Sequence, residues 1–89
     1  MKIINNQTPK NLELSELAKY LKPGIYKHYK GEEYQVMGVA MHSENPAEEL
    51  VVYKHLLGDI LWVRPLAMFC EDVSIGEYSG QRFTFIRNK

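Results

Sequence analysis

Two periodicities divide this chain. Before Pro23-Gly24, Leu14, Leu17, Ala18 and Leu21 recur at three and four residues, one face of an amphipathic helix. Pro23-Gly24 stops that pattern. Two entries to the helix are open. Thr8-Pro9 places a proline at a first-turn position, and Ser15 is a rival N-cap with Leu14 just before it. A helix this short persists only if it docks on the rest of the chain. Met1 to Gln7 is polar apart from Ile3 and Ile4, and reads as frayed.

From Gly24 onward the pattern is that of strands. Ile25 to Tyr29 alternates, and Lys30-Gly31-Glu32 turns the chain. Tyr34 to Met41 is long and mostly apolar, and Gly38 within it signals a bulge or bend. His42 to Glu48 reads as a loop containing Asn45-Pro46. Glu49 to Leu57 is the next strand, Gly58-Asp59 a hairpin turn, and Ile60 to Arg64 the return, halted by Pro65. Leu66, Phe69 and Val73 fit a helical turn, Gly76 to Gly80 a loop, and Gln81 to Ile86 a last strand. The sum is a mainly β chain: a small five-stranded SH3-like barrel, with an added N-terminal α-helix and a short helical turn before the last strand. Residues 1–23 form the helical extension and 24–89 the barrel domain. Closure into a barrel would remove exposed sheet edges.

Composition narrows the partners. Eighty-nine residues allow one domain, which buries only about 60% of its unfolded surface. With 25% charged and 11% aromatic residues the chain is globular rather than disordered. The formal net charge is zero, whereas duplex-DNA binders carry a basic excess to neutralise phosphates. Lys27, Lys30, Arg64, Arg82 and Arg87 can still make a local basic patch. The single cysteine, Cys70, excludes an intramolecular disulfide, fits a reducing compartment and reads as a small buried hydrophobe. No apolar run approaches the roughly 20 residues that span a bilayer. The N-terminus lacks the layout of a signal peptide. The expectation is a cytoplasmic protein with no membrane partner.

The ordered segments Gly24-x-Tyr26-x-His28-Tyr29-Lys30-Gly31, Tyr34-x-Val36-x-Gly38-x-Ala40-x-His42-Ser43-Glu44, Val52-Tyr53, Trp62-x-Arg64-Pro65, Met68-Phe69 and Arg82-Phe83 carry a resemblance. Together they resemble the small bacterial family called domain of unknown function 1653, over about two thirds of the chain. The N-terminal 23 residues lie outside it. The family is similar to stand-alone domains and to domains attached to nucleotide-processing enzymes. It implies a bearing on nucleotides or nucleic acid, and no catalytic residue, ligand or cofactor.

Several chemistries compete for the polar and aromatic residues. His28, His42 and Glu44 offer two imidazoles and a carboxylate for zinc, but without a helical His-Glu-x-x-His pair, and the expectation is no metal. A His42–Glu44 contact would orient an imidazole for acid–base work, the basis of a small-enzyme alternative. Tyr26, Tyr29, Tyr34, Tyr53 and Trp62, bordered by Lys27, Lys30, Arg64 and Arg82, can stack bases of a single strand. Similar rings with Glu44 can form a groove or cage for a peptide. For all of these the competing role is core packing, which a small domain needs. Arg64, beside Trp62, either stacks on a ring or pairs with Glu44 or Glu71, or stands free as the best anion contact in the chain.

The reading is a non-enzymatic binding module, with no catalytic residue and no cofactor. Its ligand site gathers His28, Tyr29, His42, Glu44, Tyr53, Arg64 and Arg82. A protein or peptide partner comes first, and a nucleotide or single-stranded nucleic acid second. The chain is expected to be a monomer or weak dimer, its helix either capping the barrel or forming the interface.

Overall fold

The structure, a computed structural model, describes residues 13–89. The expectations of frayed residues 1–7 and of a helix entry at Thr8-Pro9 lie outside the described residues. Ser15 is the N-cap of helix α1 (Glu16–Tyr20). Its hydroxyl accepts from the Ala18 N–H at 3.1 Å and donates to Glu49 Oε1 at 2.6 Å, while its own N–H donates to Glu49 Oε2 at 2.7 Å. One carboxylate thus holds both groups of the cap. Five residues cannot sustain a helix in water. This one is stitched to the sheet through Glu49 and buries Ala18 in the core, with Leu14 and Leu21 packed alongside.

Strands β1 (Gly24–His28), β2 (Glu33–His42), β3 (Asn45–His55) and β4 (Trp62–Pro65) form an antiparallel meander. Helix α2 (Leu66–Phe69) and a separate hairpin of β5 (Asp72–Ile75) and β6 (Tyr78–Gln81) then carry the chain to β7 (Phe83–Arg87). β7 lies antiparallel to β1, giving the sheet order β4-β3-β2-β1-β7. This is the expected meander with a returning last strand. The ladders do not join β4 to β7, so the sheet is open, and a closed barrel is not what its hydrogen bonds form. No helix among the described residues is long and apolar enough to cross a membrane.

Two bulges bend the sheet. Val36 pairs with Tyr53 but Gly38 with Val52, which leaves Met37 as the extra residue. Gly38 was the sequence signal for it. In β7 the register slips between Phe85 and Arg87, so Ile86 is the extra residue. β1 and β7 approach closely at Gly24. A Cβ there would stand 2.8 Å from the Arg87 carbonyl oxygen and from Phe85 Cε1, and φ is +149°.

On the inner face Tyr26, Val36, Val51, Tyr53 and Phe83 are buried with Leu66 and Phe69 of α2. Phe69 and Phe83 lie face to face, centroids 4.1 Å apart and planes 4° apart. The rings of Tyr26 and Tyr53 meet Phe69 edge-on at 5.7 and 5.5 Å. The Tyr26 hydroxyl is satisfied by the Lys22 carbonyl at 2.7 Å.

Three sequence expectations shift. The β3–β4 hairpin does not turn tightly at Gly58-Asp59; the connection runs from Leu56 to Leu61, and β4 starts at Trp62 rather than Ile60. The expected loop at 42–48 is mostly strand: the ladder steps from Met41↔Glu49 to His42↔Asn45, and Pro46-Ala47-Glu48 bulge outward, exposed. The helical turn ends at Phe69, and the expected loop at 76–80 is half of the β5–β6 hairpin. Gly76, with φ +60°, opens its two-residue turn. Strands of four residues rich in Ser and Gly carry too little apolar alternation to be read as strands.

Phe69→Ala removes the ring on which the α2 contact rests. It should cost about 3–5 kcal/mol in denaturant unfolding, while Met68→Ala, at an exposed position of the same helix, should stay within about 0.5 kcal/mol.

Candidate functional site

At one end of the sheet four rings surround Phe83. They are Phe69 beneath it, His28 at 4.9 Å, Tyr34 at 5.6 Å and Tyr53 at 5.8 Å. Strand parity explains the grouping. Tyr26 faces Tyr34 across β1–β2, His28 faces Phe83 across β1–β7, and Tyr53 lies on β3 two pairs along from Tyr34↔His55, on the same face. Arg64 reaches into this group from β4. Its Nε donates to the Tyr53 hydroxyl at 3.3 Å and its guanidinium lies 5.9 Å from the Phe83 centroid.

The three described arginines differ in one respect. Arg82 pairs with Glu71 at 2.7 Å and Arg87 with Glu33 at 3.5 Å, whereas Arg64 has no carboxylate within 4.0 Å among the described residues. Neither Glu44 nor Glu71 is its partner. Arg64 is half-buried, oriented by a phenol and a ring, with the terminal nitrogens of its fork free of an ion pair. Arg82 is a different case. Its head is occupied by Glu71, its Nε is buried without a partner, and its backbone bonds Glu71 and Tyr29. That makes it the brace of the segment before β7.

His28 sits between these cations. Burial lowers its pKa first, then the charges of Arg82, Lys30 and Arg64, with Glu32 opposing. Its Nδ1 accepts from the Lys30 N–H at 3.1 Å. The neutral ring therefore carries its proton on Nε2 and offers a donor there. Tyr29 tilts on His28 at 4.5 Å and stacks on Tyr78 of the β5–β6 hairpin at 5.3 Å. A shallow groove beside them is lined by Lys27, His28, Tyr29, Tyr78, Thr84 and Ile86. Tyr34 also meets His55 at 4.5 Å, which pairs with Glu32 at 3.4 Å.

Of the seven residues expected at the site, the structure brings His28, Tyr29, Tyr53, Arg64 and Arg82 to this end. It does not bring His42 and Glu44. They occupy the tip of the β2–β3 hairpin, eight residues along β2 from Tyr34, or roughly 25 Å at the usual rise of a strand. There the Glu44 N–H donates to His42 Nδ1 at 3.1 Å, a contact local to the turn, and the Glu44 side chain is exposed. Among the described residues no carboxylate pairs with His42, so the His42–Glu44 side-chain pair on which acid–base catalysis would depend is not formed. The His28–His42–Glu44 metal set is likewise not assembled, and no group of three potential ligand side chains placed to hold a metal occurs among the described residues. Cys70 is a free thiol whose pKa is raised by burial, so it stays protonated.

Sequence reasoning missed two participants. Phe83 is outside the expected site set; it is core and also the ring under Arg64. Tyr78 lay in a segment read as loop.

Because folding lowers the His28 pKa, the unfolded chain takes up the proton first as pH falls. This residue's contribution to stability is therefore intact above the ordinary imidazole value, about 6.5, and is lost as pH falls from there through the lowered folded-state value. The His28 pKa, followed by its ring-proton NMR shifts, should rise in Arg82→Gln and by less in Arg64→Gln. The acid-side loss of stability should shrink in His28→Gln.

No curated protein matches the chain. A crystal structure of a protein of the DUF1653 family from Bordetella bronchiseptica is similar, with 31% identity and a TM-score of 0.72. The match covers 81% of this chain and 95% of that one. The profile of the family described as "Protein of unknown function (DUF1653)" matches residues 24–85, which hold the whole five-stranded sheet up to Phe85, α2, the β5–β6 hairpin and every residue of the aromatic end. The resemblance drawn from the ordered segments is thereby established, and the chain belongs to the DUF1653 family.

Proposed function

We propose that this chain is a non-enzymatic binding module for a protein or peptide partner, and that it captures an anionic group of that partner at the aromatic end of its sheet. One observation carries the reading: Arg64 is held over Phe83 by the Tyr53 hydroxyl and lacks a carboxylate among the described residues. A guanidinium fixed in this way has lost its rotamer freedom before binding, so little further ordering opposes capture of a carboxylate. Neutral His28 supplies a second donor through Nε2, and Tyr29 lines the neighbouring groove. Arg82, neutralised by Glu71, positions this end rather than contacting the ligand. The site in this proposal is His28, Tyr29, Tyr53 and Arg64, with Tyr34 and Phe83 as its floor.

The wider setting follows from the same reading. The meander with a returning strand, and the helical turn before that strand, support a small SH3-like architecture left open at one side. The lone unpaired thiol suits work in a reducing cytoplasm.

A nucleotide or single strand is the second reading, favoured by the cations around His28. It ranks below the peptide because Tyr53 and Phe83 are buried and Tyr29 already stacks on Tyr78, so few ring faces remain for bases.

Amide NMR titrations with a pool of capped acidic hexapeptides and with a mixed short single-stranded DNA separate the two. The expected result is peptide-induced shifts at His28, Tyr53 and Arg64, with affinity lowered about 10- to 100-fold in Arg64→Gln, the loss of one charged hydrogen-bonding group. Shifts with DNA alone would move the assignment to the second reading. A spectrum unmoved by both would overturn the anion site.

A further inference from the structure

The open sheet has two outer strands, β7 and β4, and β4 is hydrogen-bonded to β3 on one side and to no other strand among the described residues on the other. Natural edge strands are usually blunted by charge, an internal proline, a bulge or a covering element. In β4 Arg64 and Pro65 blunt only the second half, whereas the approach and first half present Leu57, 97% exposed, and Ile60, Leu61, Trp62 and Val63 at 66, 59, 47 and 60%. Trp62 and Val63 are adjacent in the strand and so point to opposite faces. Both are open, so neither face is covered at this edge.

Charge tells what fits. The apolar run Ile60–Val63 has Asp59 immediately before it and Arg64 immediately after it. Two such segments laid antiparallel bring the acidic end of each beside the basic end of the other. A parallel arrangement would bring like charges together. The formal net charge of zero means that no long-range repulsion opposes the approach of a second copy. Pro65, without an N–H, ends the segment able to pair.

We propose that the free edge of β4 is a self-association surface: a second copy of this chain adds its own β4 antiparallel, about a two-fold axis, joining the two sheets into one. The contact is isologous and closes at two copies, because each chain has a single β4 edge and uses it up. Main-chain hydrogen bonds hold the pair, and Leu61, Trp62 and Val63 of each copy cover those of the other. Arg64 belongs to both surfaces: its charge marks the basic end of the pairing segment and its guanidinium lies over Phe83, while the main-chain pairing of Trp62 and Val63 does not depend on the anion site.

Sedimentation of the full chain from about 10 µM to about 1 mM, the range of a weak dimer, tests this. A monomer–dimer equilibrium is expected, with slowed amide exchange at Trp62–Arg64 in the dimer. Val63→Lys, which sets a charge on an exposed edge position, should weaken association roughly tenfold or more. Leu61→Lys is the second edge variant, should the first perturb the fold, and amide spectra report that. Asp59→Lys should weaken the dimer and leave the monomer folded. A monomer at every concentration overturns the proposal, as does a dimer indifferent to both edge variants or one whose exchange protection falls on α1. Indifference to Asp59→Lys overturns the antiparallel arrangement.

Discussion

The face-to-face contact of Phe69 and Phe83 is the constraint on which the rest of this structure hangs. Phe83 belongs to β7, and β7 can pair with β1 only after the chain has crossed from the far side of the sheet. Phe69, in the four-residue helix α2, fastens that crossing to the sheet's inner face. Tyr26 and Tyr53 then close on the stack from β1 and β3. Four elements therefore share one aromatic cluster. In a chain too small for a second core, its edge-to-face geometry also supplies directional contacts beyond area burial.

The same cluster makes the site. Phe83 is buried as core, yet its neighbours toward the sheet's end are His28, Tyr34 and Arg64, each only partly buried. Arg64 sits on the surface of the core as a lid on its polar side. The Tyr53 hydroxyl lies where buried ring meets guanidinium, and Arg64 Nε is its partner. Stability and recognition are therefore coupled at Tyr53: the ring that fills the core also aims the cation. Arg82 contributes differently, through the ion pair and backbone bonds that brace the entry to β7.

Family membership covers residues 24–85 and stops short of α1. The helix is nonetheless part of the packing, since Ala18 is buried in the core and Glu49 of β3 caps the helix through Ser15. Leu17, Tyr20 and Leu21 line, with Phe69, Cys70, Gln81 and Phe83, a cavity of about 210 Å³ between helix and sheet. The reach of α1 thus extends to the underside of the Phe69–Phe83 stack.

Local chemistry in the sequence determined the elements whose signals are carried by single residues. Ser15 as one of two candidate entries, Pro23-Gly24 as the stop, Gly38 as the signal of a bulge and Pro65 as the end of β4 are all legible, because each acts on its own backbone. The order of the long strands followed from their apolar runs and the turn residues between them. The β5–β6 hairpin was not legible, because its Ser- and Gly-containing strands hold few apolar positions and its turn depends on one glycine. Side-chain types named five residues of the candidate site, but proximity in a list of motifs is not proximity in space. His42 and Glu44 share a strand or its turn with the site's own elements and still end at the far tip, because β2 is ten residues long and the ladder carries them away. Whether the sheet closed, which arginine kept its charge unpaired and which ring lay beneath it were decided only by tertiary pairing, since each depends on contacts between residues distant in sequence, such as Arg64 with Tyr53 and Arg82 with Glu71.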